Sequence, residues 1–111
     1  MNSTFGGLNS MWIIVLFDLP TETKQARKQY TKFRAELLKN GYSMMQYSVY
    51  IRHSASAENS SVHTQRIRSA LPPQGEVRIL RLTDKQFGKM EVFYGEKRLP
   101  PEKAGLQLQF F

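Results

Sequence analysis

The sequence predicts an α+β sandwich in which two helices cover one face of an antiparallel sheet. Three observations predict it. A continuous apolar run occupies Met11 to Phe17, an amphipathic stretch follows over the 24–39 region, and shorter runs rich in β-branched and aromatic residues recur around Tyr42 to Arg52 and Val77 to Leu82. With 111 residues, 41% of them hydrophobic and 12% aromatic, the chain has the size of one compact domain with a real core. A two-domain enzyme and a disordered chain are both excluded.

Each element has its own signal. Trp12 to Phe17 is apolar at every position and is halted by Asp18-Leu19-Pro20, so it suits a central strand covered on both faces. After the caps Thr21 and Thr23, the side chains of Ala26, Tyr30, Phe33 and Leu37 fall within about 60° of one another at helical spacing. That helix ends at Asn40-Gly41, where glycine supplies the positive φ of a helix terminus. Tyr42 to Arg52 reads as strand throughout, with a break near Gln46-Tyr47 that would divide it in two. Ser54 to Ser61 reads as a loop entering a second helix whose apolar positions are Val62, Ile67, Ala70 and Leu71, stopped by Pro72-Pro73. Val77, Ile79 and Leu82 mark a further strand, Thr83 to Gln86 fits a capping box, and Met90 to Tyr94 is a last strand candidate. The order β-α-β(β)-α-β is that of a ferredoxin-like βαββαβ sandwich.

The ends are set apart by composition. Residues 1–10 are small, polar and glycine-bearing and read as a flexible leader, 11–95 as the ferredoxin-like domain, and 96–111 as a C-terminal strand or tail. Leu106 to Phe110 alternates strictly, and such a strand needs a sheet edge to join. The edge of a second copy would serve, which points to a homodimer.

The chain has no cysteine, which removes disulfides, thiolate-bound zinc and thiol catalysis, so any metal must use oxygen or imidazole. The longest apolar run is about a third of a bilayer span, and no basic leader precedes it. The expectation is a cytoplasmic protein with no membrane segment. The formal charge of +7 and a pI near 9.9 favour a polyanionic partner. The excess is concentrated on the first helix, where Lys24, Arg27, Lys28, Lys32, Arg34 and Lys39 face Glu36 alone. The four lysines lie opposite the apolar stripe, as a solvated face or a phosphate-tracking surface would. Arg27 and Arg34 flank the stripe and are the preferred forked phosphate ligands, unless they pair with acids inside the fold.

Asp18 is the only acid at the end of the central strand. Two roles are open to it: capping the following turn or helix, or holding Mg²⁺ or Mn²⁺. One carboxylate is a poor metal site, but a twofold dimer would bring two copies of Asp18 together across its axis. The other acids show no close pairing in the sequence, and His53 and His63 have no ligand partners at useful spacing. Tyr30, Phe33, Tyr47 and Tyr50 lie in periodic elements where aromatics pack in cores. With no base-specific code visible, the expected nucleic-acid contact is with backbone and shape.

Five segments in order carry a resemblance: FDLP at 17–20, KFR at 32–34, GY at 41–42, QYSVY at 46–50 and LTDKQF at 82–87. Together they resemble the small CRISPR-associated protein two family, in the form found beside large single-effector nucleases, over Trp12 to about Tyr94. The resemblance implies a homodimer working in spacer acquisition, held between two dimers of the CRISPR integrase subunit and bridging duplex DNA. It also implies a metal-dependent endonuclease acting on RNA or duplex DNA, with Asp18 facing its twin over Mg²⁺ or Mn²⁺ as catalytic and metal-binding residue. Lys24, Arg27 and Lys28 fill the region where the family places its basic DNA contacts, and Arg34 extends it. A non-catalytic role is the leading expectation, the nuclease the alternative, and a small ribonuclease toxin of the same fold a third. The segments before Met11 and after Gly95 depart from the family pattern.

Overall fold

A computed structural model of the protein describes residues 10–99. Its elements are β1 (Met11–Asp18), α1 (Lys24–Lys39), β2 (Ser43–Gln46), β3 (Val49–Ser54), α2 (Ala57–Arg68), β4 (Glu76–Thr83), α3 (Asp84–Gly88), β5 (Val92–Tyr94) and β6 (Lys97–Leu99). The main sheet has the order β2-β3-β1-β4 with every neighbour antiparallel, which is the expected ferredoxin-like topology. β5 and β6 form a separate hairpin. The alternating tail strand lies outside the described residues. Of the leader only Ser10 is described, and it is buried.

The period of two along β1 sorts its side chains between two unequal cores. Ile13, Val15 and Phe17 point to the helical layer, where they meet Phe33 and Leu37 of α1, Ile67 of α2 and Tyr50 of β3. Trp12 and Ile14 point the other way and meet Ile51 and Phe87. The short helix α3 caps only that end of the second face: Phe87 stacks on Trp12 with centroids 4.2 Å apart, and Trp12 Nε1 donates to Asp84 Oδ1 over 2.7 Å. The Thr83–Gln86 capping box that starts α3 is formed as expected. Toward the other end of this face Leu16 and Leu80 are 37% and 48% exposed, so β1 is covered on both faces only along its first half.

α1 begins and ends where expected. The Thr23 side chain accepts from Ala26 N–H over 3.0 Å, and Gly41 takes φ 86° just beyond the helix. The missing Cβ of Gly41 leaves room for the Arg52 guanidinium, which donates to the Asn40 carbonyl and puts a cation at the negative end of the helix dipole. The hairpin break falls at Tyr47-Ser48, one residue beyond the Gln46-Tyr47 position expected.

α2 departs from expectation. It starts inside the stretch read as a loop, capped by Ser56, and the face it buries is Ser60, Thr64 and Ile67, while Val62 and Leu71 are about half exposed. The hydroxyls satisfy themselves locally, Ser60 Oγ donating to Ala57 O and Thr64 Oγ1 to Ser61 O. Small polar residues can therefore sit against the sheet where an apolar periodicity would be looked for.

Candidate nucleic-acid interface and the Asp18 site

Asp18 ends β1 on the sheet face that α1 and α2 leave uncovered, and it is exposed. The helix-capping role open to it in the sequence belongs instead to Thr23. Across the sheet its register partner in β4 is Glu76, so two like charges stand side by side. Arg78 Nη2 bonds Glu76 Oε2 over 3.0 Å and offsets part of that repulsion, and Glu76 in turn holds the Arg78 pKa above its usual value. Leu16, Phe17, Asp18, Glu76 and Arg78 line one shallow depression. The sequence shows no close partner for Asp18. Glu76 lies 58 positions away, and only the β1–β4 register joins them.

Gly75 positions this corner. At φ 94°, a Cβ on it would stand 2.8 Å from the Asp18 carbonyl oxygen and 2.6 Å from Leu19 Cδ2. Gly75→Ala should lower stability by about 2 kcal/mol or more, combining left-handed strain with a backbone clash. Urea denaturation reads this, and a loss below about 0.5 kcal/mol would show that the turn relaxes freely.

On the opposite, helical side, Lys24, Arg27, Lys28, Lys32, Arg34 and Lys39 are all exposed along α1. The helix opens with Lys24 and has no acid in its first turn, the reverse of what the dipole favours. Neither arginine is tied to a carboxylate by its hydrogen bond: Arg27 Nη1 donates to Thr21 O over 3.0 Å, and Arg34 Nε to the Tyr50 hydroxyl over 2.6 Å. Each bond uses one of five guanidinium donors. The cations and the Asp18 carboxylate thus face opposite sides of the sheet, and the fold does not merge them into one site.

The expectation that the aromatics pack in the core holds for Phe33 and Tyr50, and in part for Tyr30, but fails for Tyr47. That residue is 79% exposed at the tip of the β2–β3 turn. A two-residue turn places it beyond both strands, which strand periodicity alone does not show. The structure also brings Asp84 within 3.7 Å of His53 Nε2, a pairing with the buried end of the sheet rather than with Asp18. Among the described residues no group of three or more His, Asp or Glu side chains gathers as metal ligands. Nor is any helix among them long and apolar enough to cross a membrane.

Residues 11–90 match the family model described as CRISPR associated protein Cas2. The chain belongs to the Cas2 family. The match runs from β1 through α3 and so contains Asp18, Glu76, all of α1 and the Tyr47 turn. A protein from Parvibaculum lavamentivorans named CRISPR-associated endoribonuclease Cas2 is 54% identical over 101 residues, covering 91% of this chain and 100% of its own. One of the same name from Flavobacterium psychrophilum is 53% identical, covering 92% and 89%. A third Cas2, from Paracidovorax avenae, is 41% identical over 95% and 97%.

Proposed function

We propose that this chain is the duplex-binding subunit of CRISPR spacer acquisition, a homodimer that bridges two dimers of the integrase and carries incoming DNA along α1. The observation that supports it most is the charge of that helix. Six of the sixteen Lys and Arg residues project from it into solvent, with Lys24 placed against the helix dipole. A row of cations tolerated at a local cost fits a surface whose resting partner is a phosphate backbone. The exposed Leu16 and Leu80 beside Val49, on the part of the sheet face that α3 leaves uncovered, support a second copy as the cover there. The binding test is affinity for duplex DNA over a salt series. A steep log-log dependence, close to one unit per neutralised phosphate, is expected, and a shallow one would end the phosphate-surface reading. Light scattering that finds only monomer would end the dimer.

The second reading, a metal-dependent endonuclease, is favoured by the Asp18–Glu76 pair and by the relatives' name. Carboxylate oxygens suit Mg²⁺ or Mn²⁺, but Glu76 is engaged by Arg78, so this corner of one chain offers Asp18 alone as an unengaged carboxylate, and a twofold pair of Asp18 would complete the donor set. A divalent ion bound there would polarise a phosphate and a water. Asp18 itself would hold the ion, and Arg78 would hold Glu76 aside. Asp18→Asn separates the readings. Spacer acquisition in cells should persist and duplex affinity stay within about two-fold, because Asp18 faces away from α1, while any purified nuclease activity disappears. Loss of acquisition with duplex binding intact would favour the enzyme.

A further inference from the structure

Among the described residues Arg34 is the cation of α1 that a buried side chain holds. Its Nε donates to the Tyr50 hydroxyl over 2.6 Å, and Tyr50 is 1% exposed. The phenol is itself fixed. Its ring belongs to the core beneath the helices, stacked on Phe17 with centroids 5.7 Å apart, and Phe17 meets Phe33 edge-to-face at 5.3 Å. Phe33 precedes Arg34 in α1, so a single core aromatic ties down both the strand that carries the acceptor and the helix that carries the donor.

A hydroxyl at the edge of a core needs a hydrogen-bond partner, but a neutral group or a water would meet that need. Arginine adds a full charge. Among the described residues no carboxylate lies within ion-pair distance of it, and the residue is exposed. The atom used for the bond matters as well. Bonding through Nε leaves both terminal nitrogens open, and these can grip two oxygens of one phosphate. Arg27 differs, because its bond to Thr21 O passes through Nη1 and so occupies one of the two. An untethered surface arginine loses rotamer freedom when it binds, whereas one held at Nε has lost part of that freedom already on folding.

We infer that Tyr50 is a positioning residue: its buried hydroxyl holds the Arg34 guanidinium so that the two terminal nitrogens form a fork for a backbone phosphate of the bound duplex. This rests on the duplex-binding reading above and deepens it, assigning Arg34 a preformed contact that acts through a side chain the DNA never touches. The contact is independent of sequence, because it reads only the backbone.

The test is a double-mutant cycle on Arg34→Gln and Tyr50→Phe, read by fluorescence anisotropy with a blunt duplex of about 20 base pairs over a salt series. Arg34→Gln should weaken binding about ten-fold at ~0.1 M salt and lower the salt slope by about one unit. Tyr50→Phe keeps the ring in the core and removes only the hydroxyl. It should weaken binding about three-fold and leave the slope unchanged, since the charge stays and only its placement is lost. In the Arg34→Gln background Tyr50→Phe should have no further effect on affinity, a result that general loosening of the core would not give. Three outcomes overturn the inference: Arg34→Gln binding the duplex as tightly as wild type, which would leave the bond a role in the fold alone; Tyr50→Phe binding as tightly as wild type; or a Tyr50→Phe loss that persists without the arginine. Each of these, found while the wild type binds with a steep salt slope, sinks this inference alone. A wild-type protein that fails to bind the duplex, or binds with a shallow slope, sinks the duplex-binding reading and this contact with it.

Discussion

Exchanging Arg27 and Lys28 for glutamate is expected to weaken binding to blunt duplex DNA by about 50-fold at ~0.1 M salt and to cut the salt slope by about two units. The size follows from counterion release. Each phosphate contact contributes nearly one power of salt concentration, and two contacts at that ionic strength are worth close to two decades. The sign of the accompanying stability change makes the experiment decisive. Both residues are exposed, and no acid occupies the first turn of α1, so new carboxylates near the N-terminus suit the helix dipole. The variant should melt at or slightly above the wild-type temperature while losing its ligand. Unchanged affinity in a folded double variant would remove α1 from the DNA path.

Phe33→Ala should cost about 3–5 kcal/mol, a large share of what a domain of this size has to lose. Phe33 is 1% exposed and meets Phe17 edge-to-face with ring centroids 5.3 Å apart, so it pins α1 to the C-terminal end of β1. It sits between Lys32 and Arg34 in sequence, so the side chain that holds the helix down and the cations that point away from it belong to the same turn. Val62→Ala on α2, where the side chain is 49% exposed, should change stability by no more than about 0.5 kcal/mol. Chemical denaturation of the two variants side by side reads the contrast. A Phe33→Ala loss below about 1 kcal/mol would mean that α1 is held mainly elsewhere.

That contrast also shows where sequence patterns inform and where they mislead. On α1 the apolar stripe is unambiguous because Ala26, Tyr30, Phe33 and Leu37 recur at helical spacing, and the buried face is the one that stripe marks. On α2 the same logic picks Val62 and Leu71, which are surface residues. The layer against the sheet there includes Ser60 and Thr64, whose hydroxyls donate to their own helix, while Ser60 Oγ also accepts from Arg81 Nη1 of β4 over 3.2 Å, so both can be buried. Glu76 as neighbour of Asp18 had no local signal at all, since the pairing depends on a register set by the apolar residues Ile13 to Phe17 against Val77 and Ile79.

Read alone, the chain determined what local spacing can encode: the order of strands and helices, the ends of α1 at Thr23 and Gly41, a hairpin break near Gln46-Tyr47, and the gathering of cations on one helix. Those features depend on side-chain periodicity, caps and turn chemistry within a few residues. Only the folded structure decided that Asp18 and the cations face opposite sides of the sheet and that Glu76 and Arg78 stand beside Asp18. It alone left half of one sheet face bare and put Tyr47 in solvent beside α1. These are consequences of strand register and of which elements cover which face, and both are set by contacts between residues tens of positions apart.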